Sequence, residues 1–208
     1  MLRRHLSFGL CTALLITTAT AQPAAPPTDV AGVKYPSALP LGGSMLQLNG
    51  AGVRYRFVIK VYTAGLYLTA KASTPEQVLS APGPKRLHVQ MLREIDATEL
   101  GKLFTRGMQE NAPRDEFSKS IPGTLRMADI FSSKKKLVAG ETFSVDWLPG
   151  SGTQVLVNGK PQGEPIREPE FFTALLRIWL GPNPADGALK EALLGVQRLP
   201  SGGSSQQQ

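Results

Sequence analysis

Few side chains in this sequence are both reactive and placed where chemistry could use them. Arg54, Arg56, Lys60 and Tyr62 fall within ten residues of one another, in the stretch GAGVRYRFVIKVYTAGLYL over residues 50–68. A guanidinium presents a planar fork of donors and a phenol adds a single hydroxyl, so the natural partner of such a set is an oxyanion such as a carboxylate or phenolate. The other usual chemistries lack their residues. Cys11 is the only cysteine and lies in the N-terminal apolar run, and of the two histidines only His88 lies beyond it. No GxxxxGK[ST] loop, no GxGxxG between strand and helix and no His/Cys cluster occurs, so the sequence implies neither a cofactor nor a metal. His88 sits in RLHVQML opposite the inward alternation of Leu87, Val89 and Met91, which assigns it to the second face of a strand.

The elements that must hold these residues can be read from pattern. Residues 1–21 carry Arg3 and Arg4 before an apolar run ending Ala19-Thr20-Ala21, the order of a secretory signal, and are set aside from the fold. Residues 22–35 are Pro- and Ala-rich and are expected to be a flexible linker, residues 36–197 the folded domain, and residues 198–208 a disordered tail. No later segment is apolar for long enough to span a bilayer, which predicts an exported, periplasmic or secreted protein. The net charge of +7 favours an anionic partner or surface. The Lys134-Lys135-Lys136 run has no interleaved aromatics and reads as a solvated loop, so no nucleic-acid partner is expected.

Asn49-Gly50-Ala51-Gly52 predicts a hairpin turn between strands at 45–48 and 53–62. Further strands are expected near 64–69 and 86–92. Asp96 with Glu99 announces a helix over ATELGKLFTRGMQEN, with Leu100, Leu103, Phe104, Met108 and Asn111 on one face, closed by Pro113. A second helical region covers 114–131 with a break at Pro122-Gly123. Alternation in Phe143, Val145, Trp147 and in Thr153, Val155, Val157 gives two strands about the PGSG turn, and Asn158-Gly159 a further hairpin. Pro169 opens a helix through FFTALLRIWL to Gly181, and Asp186 caps a short last one ending at Gly195. Strands joined by hairpin turns on both sides of a helical block make the fold class α+β with an antiparallel sheet. Within 53–62 the odd positions Val53, Tyr55, Phe57, Ile59 and Val61 read as an apolar core face and the even positions as a basic one.

The stretch GAGVRYRFVIKVYTAGLYL resembles the G-x-G-x-R…K-V-Y-x-x-G-L-Y segment of the chalcone isomerase superfamily, in its bacterial chalcone isomerase-like branch. The similarity continues through SIPGTLRMADIF, GETFSVDWLPGSGTQVLVNGKPQGEPI and FFTALLRIWLG. The resemblance implies an open-faced β-sandwich: a large antiparallel sheet with helices packed on one face and a ligand cleft between them. It also implies that Arg54 is the functional arginine. The plant isomerases carry a threonine where this chain has Tyr62; a tyrosine there looks like the fatty-acid-binding branch, in which arginine and tyrosine hold a carboxylate. Their helical tyrosine and asparagine correspond to Phe104 and Asn111, and their late threonine falls near Phe171. Cyclisation of a chalcone needs placed donors to stabilise an enolate, and two such positions are now phenylalanine. The expected ligand-binding set is therefore Arg54, Tyr62, Asn111, Phe104, Met108 and Phe171. The expected ligand is a small amphipathic anion, a fatty acid foremost. An isomerase acting on a chalcone-like enone through Arg54 and Asn111, and a non-catalytic envelope interaction protein, are the alternatives. Asn111 also suits the closing position of its helix, ahead of Ala112-Pro113.

One geometric requirement follows. Eight residues of straight strand span about 26 Å, so Arg54 and Tyr62 can share an anion only if the chain bends or bulges between them. A straight strand would instead make Arg56 or Lys60 the partner of Tyr62.

Overall fold

The structure, a computed structural model, describes residues 25–196. The expected signal segment and the tail lie outside the described residues. Two small strands, β1 (Thr28–Val30) and β2 (Val33–Tyr35), pair with each other. The principal strands are β3 (Ala38–Leu41), β4 (Ser44–Arg56), β5 (Ile59–Leu68), β6 (Lys85–Met91), β9 (Thr142–Leu148), β10 (Gly152–Val157) and β11 (Lys160–Pro161). These seven form one antiparallel sheet in the order β11-β10-β9-β6-β5-β4-β3. Short strands β7 (Ile95–Asp96) and β8 (Lys136–Leu137) make a second small pair. Helices α2 (Ala97–Asn111), α3 (Arg114–Ser132) and α4 (Pro169–Leu180) cover one face, with α1 (Pro75–Ser80) and α5 (Gly187–Leu193) at its margin. Among the described residues no helix is long and apolar enough to cross a membrane.

Strand alternation builds the main core. Leu87, Val89 and Met91 of β6 and Phe143 and Val145 of β9 point at the helices, where Phe131, Phe171, Leu175 and Trp179 meet them. Each of the expected helices starts where its sequence says it should. Asp96 Oδ1 accepts the Glu99 N–H at 2.9 Å, Asp186 Oδ1 accepts that of Leu189 at 3.0 Å, and Pro169 opens α4. Helix α1, unanticipated, carries a full capping box between Thr74 and Gln77.

Four expectations are corrected. First, α3 does not break at Pro122-Gly123. Pro122 lies on the exposed side, where water can take the carbonyl its missing N–H leaves free, while Gly123 lets the helix lie against Phe171 and Ile166. Second, residues 28–35 are not a linker. Their hairpin covers the other sheet face, where Tyr35 packs with Val33, Leu46, Leu48 and Tyr67 and donates to Thr63 Oγ1 at 2.8 Å. Gly65 makes room for that ring: a Cβ there would stand 2.4 Å from Tyr35. His88 belongs to this face as expected, with Nδ1 2.7 Å from Ser144 Oγ; burial, and next the Arg86 charge, push it down to about 4.

Third, Asn49-Gly50-Ala51-Gly52 is not a turn. Strand β4 runs straight through it with a bulge at Asn49, and the turn lies at Phe57-Val58. The glycines serve close approach instead: a Cβ on Gly50 would stand 1.9 Å from the Ala192 carbonyl oxygen, and one on Gly52 2.6 Å from Ala192 Cβ, so α5 rests on bare backbone. Asn49 is buried and saturated, donating to the carbonyls of Ala72 and Leu193 and accepting the Ala72 N–H. Fourth, the supposed apolar core face of 53–62 does not exist, because a turn in its middle ends the alternation. Phe57 is 92% exposed and Val58 91%.

Candidate functional site

Moving the turn to Phe57-Val58 resolves the distance between Arg54 and Tyr62. They are not eight residues apart along one strand; they are directly paired across the β4–β5 hairpin. Residues opposite each other in an antiparallel pair share a face at about 5 Å between Cβ atoms. Immediately beyond the pair the register slips, because Tyr55 pairs with Lys60 and leaves Val61 as the extra residue. This bulge turns both Val61 and Tyr62 inward, where strict alternation would bury only one of them. The spare Val61 carbonyl accepts the Leu92 N–H at 3.0 Å. Arg56 and Lys60, the alternative partners for Tyr62, are exposed and lie opposite Ile59 and Tyr55.

The Arg54 guanidinium carbon lies 5.5 Å from the Tyr62 ring centroid, a cation–π approach. Arg54 Nε is buried and has no hydrogen-bond partner among the described residues. Tyr62, only 2% exposed, accepts a 2.8 Å hydrogen bond from Trp179 Nε1 of α4. That bond uses the phenol oxygen as acceptor and leaves its own hydrogen to give. Burial pushes the phenol up to about 12 against the opposing influence of Arg54 and Trp179, so Tyr62 stays a neutral donor throughout the neutral range. Asp186 completes the setting: its Oδ2 accepts the Tyr55 N–H at 2.8 Å, anchoring the strand next to Arg54 to the start of α5.

Two cavities meet at Arg54 and Leu103. The inner one, of about 190 Å³, is walled by Tyr62, Leu100, Phe104, Gly107, Ile178 and Ala185, with the Arg106–Glu110 ion pair at its edge. The outer one, of about 660 Å³, runs under the hairpin turn past Val61, Ile95, Ile59 and Phe57, with Arg56, Arg93 and the carboxylates of Glu94, Asp96 and Glu99 also lining it. Phe104 belongs to an edge-to-face aromatic cluster with Phe131, Phe143 and Trp179, which gives the inner cavity a rigid apolar back. A guanidinium and a phenol beside a cavity with an apolar wall can hold an anion that carries a hydrocarbon tail.

Of the six expected residues the structure therefore brings together Arg54, Tyr62 and Phe104. Asn111, Met108 and Phe171 line neither cavity. Asn111 is buried and fully engaged: Nδ2 donates to the Gly107 and Asn183 carbonyls, both at 2.9 Å, and Oδ1 accepts the Asn183 N–H at 2.7 Å. It clamps the end of α2 to the loop after α4. Met108 is enclosed beside Thr124, and Phe171 packs on Gly123. Sequence reasoning missed Trp179, Leu103 and Ile178. Trp179 and Ile178 belong to FFTALLRIWL, whose apolar pattern gives no sign that one ring nitrogen meets a phenol 117 residues away. Among the described residues no group of three His, Cys, Asp or Glu side chains could hold a metal ion.

Known proteins share the family and the fold. A family model described as chalcone isomerase-like matches residues 27–195. The crystal structure of a fatty-acid binding protein of Arabidopsis thaliana superposes with a TM-score of 0.64 at 16% identity, covering 78% of this chain and 92% of that one. At that identity the likeness is one of fold. No curated protein matches significantly in sequence.

Proposed function

The chain belongs to the chalcone isomerase-like family, and from that premise we propose that it is a non-catalytic binding protein for a fatty acid or a closely similar amphipathic carboxylate. The observation that carries this reading is the buried, unpartnered Arg54 Nε beside a phenol with a hydrogen to give. A buried donor without an acceptor is destabilising by about 1–3 kcal/mol, and a carboxylate placed between Arg54 and Tyr62 satisfies both groups at once. The acyl chain then follows Leu103, Val61, Ile95 and Ile59 through the outer cavity. The two spaces together fall within the roughly 300–1,000 Å³ usual for such sites. The solved structure sharing the fold is titled a fatty-acid binding protein, which supports the ligand class.

The isomerase alternative has less to stand on. The second polar group it would use, Asn111, is engaged in the clamp between α2 and the loop at 183, and Phe104 contributes an apolar ring. Export is part of this proposal: residues 1–21 act as a cleaved signal, and N-terminal sequencing of protein recovered from outside the cytoplasm should begin at Gln22.

Displacement of a fluorescent fatty acid, with native mass spectrometry of the purified protein, tests the reading. Wild type should carry or take up acyl ligands, with affinity rising with chain length. Removing one charge-assisted contact, of about 1.5–3 kcal/mol, should make Arg54→Ala bind about ten- to hundredfold more weakly. Equal affinity in wild type and Arg54→Ala, or no acyl binding at all, would overturn it.

A further inference from the structure

We propose that the β4–β5 hairpin turn is a membrane-docking finger that inserts Phe57 and Val58 into an anionic lipid surface. Phe57 and Val58 are 92% and 91% exposed, the extreme among the large hydrophobic residues described, and Ile59 and Tyr55 beside them are also exposed. Scattered exposed apolar residues are ordinary, but here four lie together at the end of one protruding ribbon.

The turn is also built at a conformational cost. Phe57 has φ of +57° in a two-residue hairpin loop. That position favours glycine, asparagine or aspartate, and a bulky aromatic there is strained. The ring is almost wholly exposed, so no packing inside the protein offsets the strain. Strain held without an internal return marks a feature kept for an external contact.

The chemistry around the finger selects the partner. Arg56, Lys60 and Arg93 ring the apolar tip, all exposed and none in an ion pair among the described residues. Of the three carboxylates that share the cavity lining, Glu94 is paired with Lys136 at 2.8 Å, Asp96 holds the start of α2, and Glu99 is exposed in the first turn of that helix. An apolar point flanked by three cations without ion-pair partners matches a bilayer with anionic headgroups: Phe57 and Val58 enter the acyl boundary while the cations stay at phosphate level. The finger also roofs the outer cavity, since Phe57, Ile59 and Arg56 line it. Docking would therefore place the cavity mouth against the lipid. That the docked protein exchanges an acyl ligand rests on the fatty-acid reading above; the docking itself does not.

The test is co-flotation of the full chain with vesicles of phosphatidylcholine alone and of phosphatidylcholine and phosphatidylglycerol in a two-to-one ratio. All variants are made in the same chain, so that the N-terminal apolar run contributes equally. Wild type should float with the anionic vesicles at least tenfold better than with the neutral ones. Binding should fall as salt screens the cations. The charge reversals Arg56→Glu and Lys60→Glu should remove most of the preference, and Phe57→Gly with Val58→Ser should weaken binding tenfold or more. Because glycine suits the turn, that variant folds, and its Tm should be no lower than that of wild type. In Phe57→Trp, the new indole should shift to the blue on vesicle addition and be quenched by brominated acyl chains, a direct reading of insertion. Equal flotation of wild type and the Gly/Ser variant overturns the proposal, as does an indole emission in Phe57→Trp that vesicles leave unchanged. A concentration-dependent dimer in which residue 57 becomes inaccessible also overturns it, in favour of a second copy as the occupant. Intact docking with no acyl binding by any variant supports the finger and sinks the fatty-acid reading alone.

Discussion

The two ends of the β4–β5 ribbon have opposite characters. At one end, Asn49, Gly50 and Gly52 lie under α5 with every side-chain polar atom paired and no room for a methyl group. At the other, Arg54 Nε has no partner and Phe57 and Val58 have almost no neighbours. Both ends belong to the same pair of strands, so strand propensity cannot be the cause of the difference. Coverage is: α5 seals one end, α2 and the loop after α4 wall only a cavity around Arg54, and the Phe57-Val58 tip lies bare. The sealed end contributes stability, and the other end is left with an unsatisfied donor and exposed apolar surface, the features on which the proposed binding rests.

The contrast can be broken most forcefully at the sealed end. Gly50→Val puts a branched side chain into the Ala192 carbonyl and should destabilise by about 3 kcal/mol or more, lowering Tm by about 10 °C. Adding similar bulk at the open end, with Val58→Ile, should change stability by less than about 0.5 kcal/mol. A thermal melt showing equal effects would erase the distinction. Next in size is a titration. Tyr62 has its folded-state value raised above the unfolded one by burial. Its contribution to stability is therefore fully present below about pH 10 and is lost as pH rises through about 12, by up to about 1.4 kcal/mol per pH unit. Urea melts in that window should show a shallower fall for Tyr62→Phe than for wild type. Third, Trp179→Phe removes the hydrogen bond that orients the phenol and should cost about 1 kcal/mol of stability, with a several-fold loss of acyl affinity by fluorescence displacement. The smallest change has the opposite sign: Phe57→Gly relieves the left-handed turn and should stabilise by about 1 kcal/mol, measured as a small rise in Tm.

How legible these features were in the sequence depended on range. Caps are local, so Asp96, Pro169 and Asp186 announce their helices correctly, and Asn158-Gly159, with φ of +50° and +74°, turns as its dipeptide predicts. Arg54 and Tyr62 were identifiable as a pair because their types suit one anion, although a straight strand argued against their meeting. What misled was the most turn-like string in the chain. Asn49-Gly50 has the composition of a hairpin turn, yet its glycines answer to a helix near the far end of the chain, and local sequence carries no trace of that contact. The true turn, Phe57-Val58, has no turn signature, since its conformation is imposed by the pairing of the strands on either side. Asn111 was read as either a helix end or a ligand group, and only the position of Asn183 shows that its amide is already engaged. The second-face hairpin at 28–35 was hidden because a three-residue strand in a Pro-rich segment has no periodicity to read.

The dependence of β4 on α5 also bears on when the protein can fold. Asn49 donates to the carbonyl of Leu193, and Gly50 and Gly52 gain their cover from Leu189 and Ala192. A chain still emerging during synthesis has no α5 to place there, and the ribbon that carries Arg54 and Tyr62 then has one edge of bare backbone exposed. Closure across that sequence distance is slow compared with forming the local hairpins. Helix α5 therefore sets the moment at which this ribbon becomes rigid, and a chain stopped before residue 187 would present an unprotected strand to its neighbours.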